Sequence, residues 1–540
     1  MSVSVAHDPV RLEPDAKKCP ECSARLTVRN TRTRTIVTSD GTQKITGVTR
    51  RCPVHPRVVF RPQIQLTPPR SMYSFDMVVE IGRLRFLEHK QIGEIREHFR
   101  MKGISIPLKT AENLCQRFLW YCVAVHLESF QRLVGLFEKQ GGYVLHVDST
   151  TTKGSPGTLL MKDGWSGIRL LAASISGESA DQVIPHLKCL RSLVGKPVVI
   201  IRDMGCGIES AVLEVFPGVY VISCHYHVLR DIGLRLFDKV YPRFQRRVDQ
   251  TGVKKRLRAL KQQFLKRMLS SEERDMAVEF LTYLLEYKKD GNGVAYPFSL
   301  SAVDFYRRCE EIQPRVCRMI LERAKDNSCS PCFSRLRDAL DLLRPPPAVN
   351  GRIHTEYLKI MERWKWFERV RCALRYRNGP VPLDTEGCLS DKELENGRRM
   401  IDIFQKRIAL FVAQGNVGGD RSLKQVLKGI SKLLAERREE LFVPNVIVES
   451  DGGQQVRRLP RTNNVLEQDF RKIRRHARRI RGDGDVERMV QKDGVGYAIV
   501  ANLEIKEYVR CVYGGLDQIV GRFAEVEAGI LKGAKALFRG

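Results

Sequence analysis

The chain has 540 residues, enough for several domains, and its 92 Lys and Arg against 62 Asp and Glu leave a formal charge of +30. An excess of this size repels itself in the folded state, so it indicates a polyanionic partner such as nucleic acid. A membrane surface is the competing partner, but no apolar run is long enough to span a bilayer and the first residues lack a signal-peptide core.

Two pairs of metal-ligand residues lie in the first expected module, residues 1–67. Cys19 and Cys22 form a C-x2-C pair, and Cys52 and His55 form a C-x2-H pair beyond a β-hairpin pattern. Thiolate and imidazole donors at this spacing predict a closed structural zinc site, with chance placement on two turns as the alternative. The 15 cysteines of a chain without a secretory signal also favour a reducing, cytoplasmic location. Six basic residues of the hairpin could contact DNA phosphates: Arg29, Arg32, Arg34, Lys44, Arg50 and Arg51.

Helical periodicity follows in residues 70–139. One helix runs to about His89, a second begins at Gln91 and stops at Lys102-Gly103, and a third starts near Lys109. Two short helices joined through a glycine predict a helix-turn-helix that binds DNA. An ordinary helical bundle with solvated charges is the alternative.

Strands and helices then alternate in residues 140–228. The predicted order is three strands in succession, a helix, a strand, a short helix and a last strand. This is the order of an RNase H-like core, in which the first and fourth strands are neighbours. Asp148 ends the first strand and Asp203 the fourth, so we expect their side chains to emerge side by side. Acids in strand-end turns are the alternative interpretation. The expected elements are Tyr143–Val147, Thr158–Met161, Ile168–Ile175, Ala180–Leu193, Val198–Ile201, Gly207–Val215 and Val219–Ile222.

A third acid, Glu467, opens a strongly basic helical stretch. Converging carboxylates are the ligands that hard divalent cations require, so three acids predict a phosphoryl-transfer site. A capping box with Asn464 at the N-cap explains Glu467 without any metal, and Asp469 is the other candidate for the third acid. Four arginines share the helix face of Glu467 and predict contact with a DNA backbone: Arg471, Arg474, Arg475 and Arg478.

The ordered set of motifs resembles the DDE/D transposases of bacterial insertion sequences and the related Mutator-like elements. The resemblance covers roughly residues 140–485, and the zinc and helix-turn-helix modules are typical of the end-recognition parts of such proteins. Four segments carry it: His-Val-Asp148-Ser-Thr, Ile-Arg-Asp203-Met-Gly, Cys224-His-Tyr-His227 and Thr462-Asn-Asn-Val-Leu-Glu467.

The resemblance implies that Asp148, Asp203 and Glu467 are the catalytic triad and hold two Mg²⁺ (or Mn²⁺) ions. It implies cleavage at transposon ends and strand transfer into target DNA. Double-stranded DNA is then the partner, as terminal inverted repeats and as target. At least a homodimer is expected on DNA, in the bacterial cytoplasm at the nucleoid. Cys224 and His227 would lie near the active site, with a buried thiol and a hydrogen-bonded histidine as the alternative.

The expected fold class is therefore multidomain α/β. An RNase H-like core is interrupted by a large all-helical insertion at 229–460, resumes with a last catalytic helix at 461–485, and ends in a helical tail at 486–540. Trp364 and Trp366 in the insertion are candidates for DNA contact or for a core. Buried thiols are favoured over a second zinc site for Cys309, Cys317, Cys329 and Cys332. An RNase H-fold nuclease or resolvase and a DNA-binding regulator without catalysis are the rival functions.

Overall fold

The protein is mixed α/β and divides into two compact units, which are described separately. The first comprises Met1–Val221, Ile447–Arg457 and Asn463–Gly540, and the second Ile222–Val446 and Arg458–Thr462. The structure, a computed structural model, describes residues 10–62, 66–152, 155–266, 272–286, 296–325, 330–343, 347–375, 388–413, 421–450, 453–481 and 486–537.

A small, mainly antiparallel sheet begins the first unit. Its strands are β1 (Val10–Leu12), β2 (Thr27–Thr38), β3 (Gly41–Arg51) and β4 (Val59–Phe60), and β3 pairs with the other three. The expected hairpin is thus present as β2 and β3, which turn at Gly41 with a φ of 146°, a conformation that favours glycine. Cys19, Leu26 and Cys52 form the small core beneath it.

Four helices follow: α1 (Phe75–Phe86), α2 (Ile92–Met101), α3 (Leu108–Glu128) and α4 (Phe130–Lys139). The glycine between α2 and α3, Gly103, has a φ of 76°. The basic residues here are partly neutralised by neighbouring acids. Arg100 pairs with Glu97, and Lys102 lies 2.7 Å from Glu80. The surface of α2 is therefore of mixed charge.

A five-stranded sheet belongs to the first unit except for the last two residues of its final strand. Its strands are β5 (Val144–Thr152), β6 (Ser155–Asp163), β7 (Arg169–Ile175), β8 (Val199–Arg202) and β9 (Tyr220–Ser223), in the order β7-β6-β5-β8-β9. The strands β5, β6 and β7 pair antiparallel, whereas β5 and β8 pair parallel. The connecting helices α5 (Ala180–Val194) and α6 (Cys206–Val215) complete the element order that the sequence predicts.

The second unit is helical. Trp366, one of the two tryptophans considered for DNA contact, is 7% exposed and packs against Phe404 and Phe411, so it is a core residue. The helices of this unit are α7 (His225–Phe237), α8 (Tyr241–Gln250), α9 (Val253–Lys266), α10 (Glu272–Leu285), α11 (Ser301–Lys325), α12 (Pro331–Leu340), α13 (Pro347–Ala373), α14 (Asp391–Ala413), α15 (Arg421–Glu436) and α16 (Arg438–Leu441).

The expectation that residues 229–460 are all helical is wrong at their end. The strands β10 (Val446–Ser450) and β11 (Gly453–Arg457) form a two-stranded sheet that, apart from Val446, belongs to the first unit. The run of β-branched residues Val446-Ile447-Val448 is the physical reason, because such side chains favour strands. Val448 packs where a side chain at Gly141 would stand, and the Arg457 guanidinium lies 4.6 Å from the Trp165 ring centroid.

The long basic helix α17 (Asn464–Arg481) and the tail complete the first unit. One hydrophobic cluster joins apolar residues of α1–α4, the sheet and α17 with those of the tail. The tail contains α18 (Val486–Val500), α19 (Lys506–Tyr513), α20 (Ile519–Glu525) and α21 (Ala528–Ala536). Across the described ranges, no helix combines the length and the apolarity needed to cross a membrane.

A buried ion cluster anchors α17 to the sheet. Asp469 of α17 accepts hydrogen bonds of 3.1 Å from Lys162 at the end of β6 and from Arg169 at the start of β7. All three side chains are buried. Burial alone would raise the pKa of Asp469, but the two cations outweigh burial and lower it.

Replacement of Asp469 by Asn should destabilise the protein strongly. It leaves two buried cations without their counter-charge, which costs about 3–5 kcal/mol. Urea unfolding measures the loss. Glu214→Gln, which breaks an exposed pair with Lys188, should cost less than about 1 kcal/mol.

Because folding lowers the pKa of Asp469, the contribution of its charge to stability should disappear as the pH falls through that pKa. Equal stability of the Asp469→Asn and Glu214→Gln proteins would contradict the anchoring role.

Candidate active site and zinc site

Two acids are neighbours on the paired strands β5 and β8 of the five-stranded sheet. Val147 of β5 pairs with Arg202 of β8, and the next residues along the two parallel strands are Asp148 and Asp203. The strand β5 continues past Asp148, which pairs with Leu160 of β6. Asp148 therefore lies within a strand and Asp203 just after one. Rigid backbone pairing sets their relative position.

Asp148 is in an unfavourable environment for a charge. The residue is 7% exposed, and burial is the largest cause that raises its pKa well above the ordinary value. The negative charge of Asp203 is the second cause, and Glu467 and Glu178 add to it. A hydrogen bond from the backbone N–H of Ser149 opposes the shift. Asp203 and Glu467, the other two acids named from the sequence, therefore both lie within electrostatic reach of Asp148.

Glu178 is a fourth acid near this site, and no sequence motif identifies it. It lies just before α5, and its carboxylate accepts a hydrogen bond from the hydroxyl of Ser149. The backbone there approaches α6 so closely that a side chain on Gly207 would collide with the carbonyl oxygen of residue 178. The glycine in Asp203-Met-Gly-Cys-Gly207 was the available sequence signal, although it does not say which segment approaches.

Glu467 lies in the first turns of α17. The carbonyl of Asn463 accepts hydrogen bonds from the backbone of Leu466 at 3.0 Å and of Glu467 at 3.4 Å, so Asn463 is the N-cap residue. The helix therefore begins one residue earlier than a capping box at Asn464 requires. The carboxylate of Glu467 lies 3.2 Å from Arg471. Asp469, the other candidate third acid, is engaged by the buried cations described above.

The arginines named from the sequence follow the exposed side of α17. Arg474 donates a hydrogen bond to the hydroxyl of Thr150, two residues after Asp148 on β5. Arg475 and Arg478 are exposed. The hydrophobic face opposite is formed by residues such as Leu466, Phe470, Ile473, Ala477 and Ile480. A basic surface therefore begins beside the acids and runs along the helix.

The basic residues of the hairpin divide into two sets. Arg34 donates to Thr67 at 2.9 Å, and Arg50 pairs with Glu13 at 2.6 Å, so both have protein partners. The exposed members are Arg29, Arg32, Lys44 and Arg51. These four present the charge that a polyanion could contact.

The four N-terminal metal-ligand residues come together. One ligand atom from each of Cys19, Cys22, Cys52 and His55 lies within 4.8 Å of all the others, so the group could hold a zinc ion. Within the described ranges, this is the only group of three or more such side chains that meets this distance. Asp148, Asp203 and Glu467 do not meet this distance as a set.

A site for two cations would not require the three acids to meet this distance. In such a site the ions are about 4 Å apart and each lies about 2 Å from its oxygen ligands, so acids bound to different ions can be well separated. A buried carboxylate whose pKa is raised by other acids is also a group that a bound cation would stabilise. The oxygen donors match the preference of Mg²⁺ and Mn²⁺.

Cys224 and His227 lie at the start of α7 in the second unit, whereas the acids belong to the first. A role for this pair near the active site therefore stays a prediction. His225 between them is buried, its Nε2 donates to the carbonyl of Leu441 at 2.9 Å, and burial lowers its pKa to about 4. Cys309 and Cys332 are buried thiols, while Cys329 lies outside the described residues.

Comparison of the chain with models of known protein families and with curated protein sequences finds no significant match.

Substitution of Cys52 by Ser should remove zinc from the N-terminal module. A structural site with four protein ligands binds about one ion per chain, and loss of one thiolate lowers its affinity sharply. Elemental analysis of the purified full chain measures the number of zinc ions per chain. Hydrogen exchange of β2 and β3 measures whether the N-terminal module unfolds. Cys189→Ser, at an exposed thiol, is the control. Unchanged zinc content in the Cys52→Ser protein would contradict the site.

Replacement of Asp148 by Asn should stabilise the protein in EDTA. The fold raises the pKa of Asp148, so the metal-free protein loses stability as the pH rises from the ordinary carboxyl pKa through the raised one. Asparagine removes that dependence. Melting temperatures from pH 4 to 8 measure it, and Mn²⁺ should raise the melting temperature of the natural chain more than that of the variant. Lower stability of the Asp148→Asn protein than of the natural chain at pH 8 in EDTA would contradict the argument.

Proposed function

We propose that the chain is a DNA transposase that cleaves at transposon ends and transfers the strands into target DNA. The observation that carries the proposal is the juxtaposition of Asp148 and Asp203 on paired parallel strands, with Glu467 close enough to raise the pKa of Asp148. These are the three acids that the resemblance to DDE/D transposases implies.

The sheet supports an RNase H-like core. Three antiparallel strands in succession, followed by a fourth that pairs in parallel with the first, are the arrangement expected of that fold. The order β7-β6-β5-β8-β9 has the first and fourth strands next to each other. Active sites of open α/β sheets lie at the carboxyl ends of such neighbouring strands. Asp203 directly follows β8, and Asp148 is the residue after the last pair that β5 forms with β8.

Asp148, Asp203 and Glu467 would hold two Mg²⁺ or Mn²⁺ ions. When bound, such ions activate a water or a DNA 3′-hydroxyl and stabilise the leaving oxygen. The protein's own residues orient the reaction. Backbone pairing fixes Asp148 and Asp203, and the buried Asp469 cluster fixes the helix that carries Glu467. Rigid placement of the ligands is worth several orders of magnitude in such reactions.

Two basic surfaces of the first unit support DNA as the partner. The arginines of α17 begin beside the acids, and the exposed basic residues of β2 and β3 lie on the N-terminal hairpin. Each phosphate contact by Lys or Arg releases condensed counter-ions, so binding should weaken steeply with salt. The formal charge of +30 agrees with such a partner.

A strand-transfer assay with the terminal inverted repeats of the element tests the proposal. We expect cleavage and joining in Mg²⁺ or Mn²⁺, and a loss of at least about a thousandfold in the Asp203→Ala protein, because metal ligands supply several kcal/mol to such reactions. Asp181→Ala, at an exposed acid of α5, is the control.

The outcomes separate the rival functions. Cleavage without joining would favour a nuclease or resolvase. DNA binding without cleavage would favour a regulator derived from a transposase. Full activity of the Asp203→Ala protein would overturn the assignment of the acids.

A further inference from the structure

A buried asparagine connects the helix of Glu467 to the strand of Asp148. Asn463 is fully buried, and its carbonyl starts the hydrogen-bond ladder of α17. Its side-chain Nδ2 donates to the carbonyl of Val147 at 2.8 Å, and its Oδ1 lies 2.9 Å from Nδ1 of His146. One side chain thus bonds twice to β5 across 316 and 317 residues of sequence.

The two bonds define each other's direction. The carbonyl of Val147 can only accept, so the amide nitrogen of Asn463 faces it and the amide oxygen faces His146. Nδ1 of His146 must then carry the proton and donate it. The imidazole itself is fully buried. The contact is therefore specific in orientation, and aspartate or leucine at position 463 could not reproduce it.

The imidazole has a dedicated space. A Cβ atom added to Gly164 would lie 2.6 Å from Nε2 of His146 and 2.8 Å from its Cδ2. A Cβ atom does not approach other heavy atoms this closely, so the absence of a side chain at Gly164 is what allows the ring to stand there. His146, Asn463 and Gly164 form one packed unit, called here the asparagine clamp.

The position of the clamp relative to the acids is informative. Val147 directly precedes Asp148, and Asn463 precedes Glu467 by four residues, about one helical turn. The buried Asp469 cluster, in contrast, holds α17 to β6 and β7. A bond between β5 and the residue that starts α17 therefore acts most directly on the separation of Asp148 and Glu467.

We propose that Asn463 is a positioning residue that sets the distance between the carboxylates of Asp148 and Glu467 for divalent-cation binding. This inference rests on the proposed function, because it assumes that the two acids share a cation site. The amide acts through the backbone of β5 and touches no substrate. It explains why a helix already anchored by an ion cluster also carries a second buried polar contact.

The structure provides a matched control in the same unit. Asn502 is also a fully buried asparagine with two side-chain bonds to one strand. Its Oδ1 accepts from the backbone N–H of Arg169 at 2.8 Å, and its Nδ2 donates to the carbonyl of Arg169 at 3.0 Å. Both bonds go to the backbone of Arg169, whereas the guanidinium of Arg169 binds Asp469. Loss of the Asn502 amide therefore removes the same chemistry and leaves the bonds of Asn463 to β5 and the N-cap of α17 in place.

The test is a Mn²⁺ titration of the full-length chain, read by melting temperature and by the electron paramagnetic resonance signal of free Mn²⁺. Replacement of residues that orient metal ligands lowers metal affinity about tenfold or more. We expect Asn463→Ala to raise the Mn²⁺ midpoint by about tenfold. Asn502→Ala should lose comparable melting temperature in EDTA but keep the natural midpoint.

Two further variants make the test decisive. In a Glu467→Gln background, Asn463→Ala should add no further shift in the midpoint, because the acid that it positions has been removed. Gly164→Ala, which displaces His146 and leaves Asn463 in place, should also raise the midpoint and serves if the Asn463→Ala protein does not fold.

The two failures are distinguishable. A natural midpoint in the Asn463→Ala and Gly164→Ala proteins, while Glu467→Gln raises it, would overturn the positioning role alone. An equal shift in the Asn502→Ala protein would do the same. Absence of Mn²⁺ binding by the natural chain, or indifference to Glu467→Gln, would overturn the proposed cation site itself.

Discussion

The buried pairing of Asp469 with Lys162 and Arg169 is the constraint on which the candidate site depends. Three charges in a protein interior are stable only together, because each alone would lack compensation. This ion pairing fixes α17 on the sheet. It therefore also fixes the positions of Glu467 and of the arginines that α17 carries. The asparagine clamp then adjusts the first turn. The ion cluster is the stronger attachment of α17 to the sheet, and the hydrogen bonds of Asn463 are weaker but more specific in orientation.

The acids beside this anchor are organised in the opposite way. Asp148 is buried, and its neighbours Asp203, Glu467 and Glu178 all repel its charge. Acids whose charge is destabilised by the fold concentrate at functional sites, so this arrangement is typical of a binding or catalytic site. The contrast with Asp469 is instructive. Both acids lie on elements that touch, yet two basic side chains of the protein stabilise the charge of one, while three acids oppose the charge of the other.

Much of this was predictable from local sequence, and the rest depended on distant pairings. Apolar periodicity indicated the order of the strands that carry Asp148 and Asp203, and ligand spacing identified Cys19 and His55. Local pattern could not assign Asp469, whose partners are about 300 residues away, so two acids of one helix remained candidates for the same role. Glu178 was missed for the same reason. The two-stranded sheet of β10 and β11 was missed although the β-branched residues of β10 are evident in the sequence.

The interruption of the first unit has a consequence for how the chain is made. Its sheet is complete by β9, but α17, which contributes Leu466 and Phe470 to the same core, begins only at Asn464, after the second unit. At roughly 5–20 residues per second, a ribosome needs on the order of 10–50 seconds for the intervening segment. During that time the nascent sheet exposes an apolar face and lacks Glu467. The three acids can therefore come together only late in synthesis, so an unfinished chain lacks the complete candidate site and exposes apolar surface that is prone to aggregate.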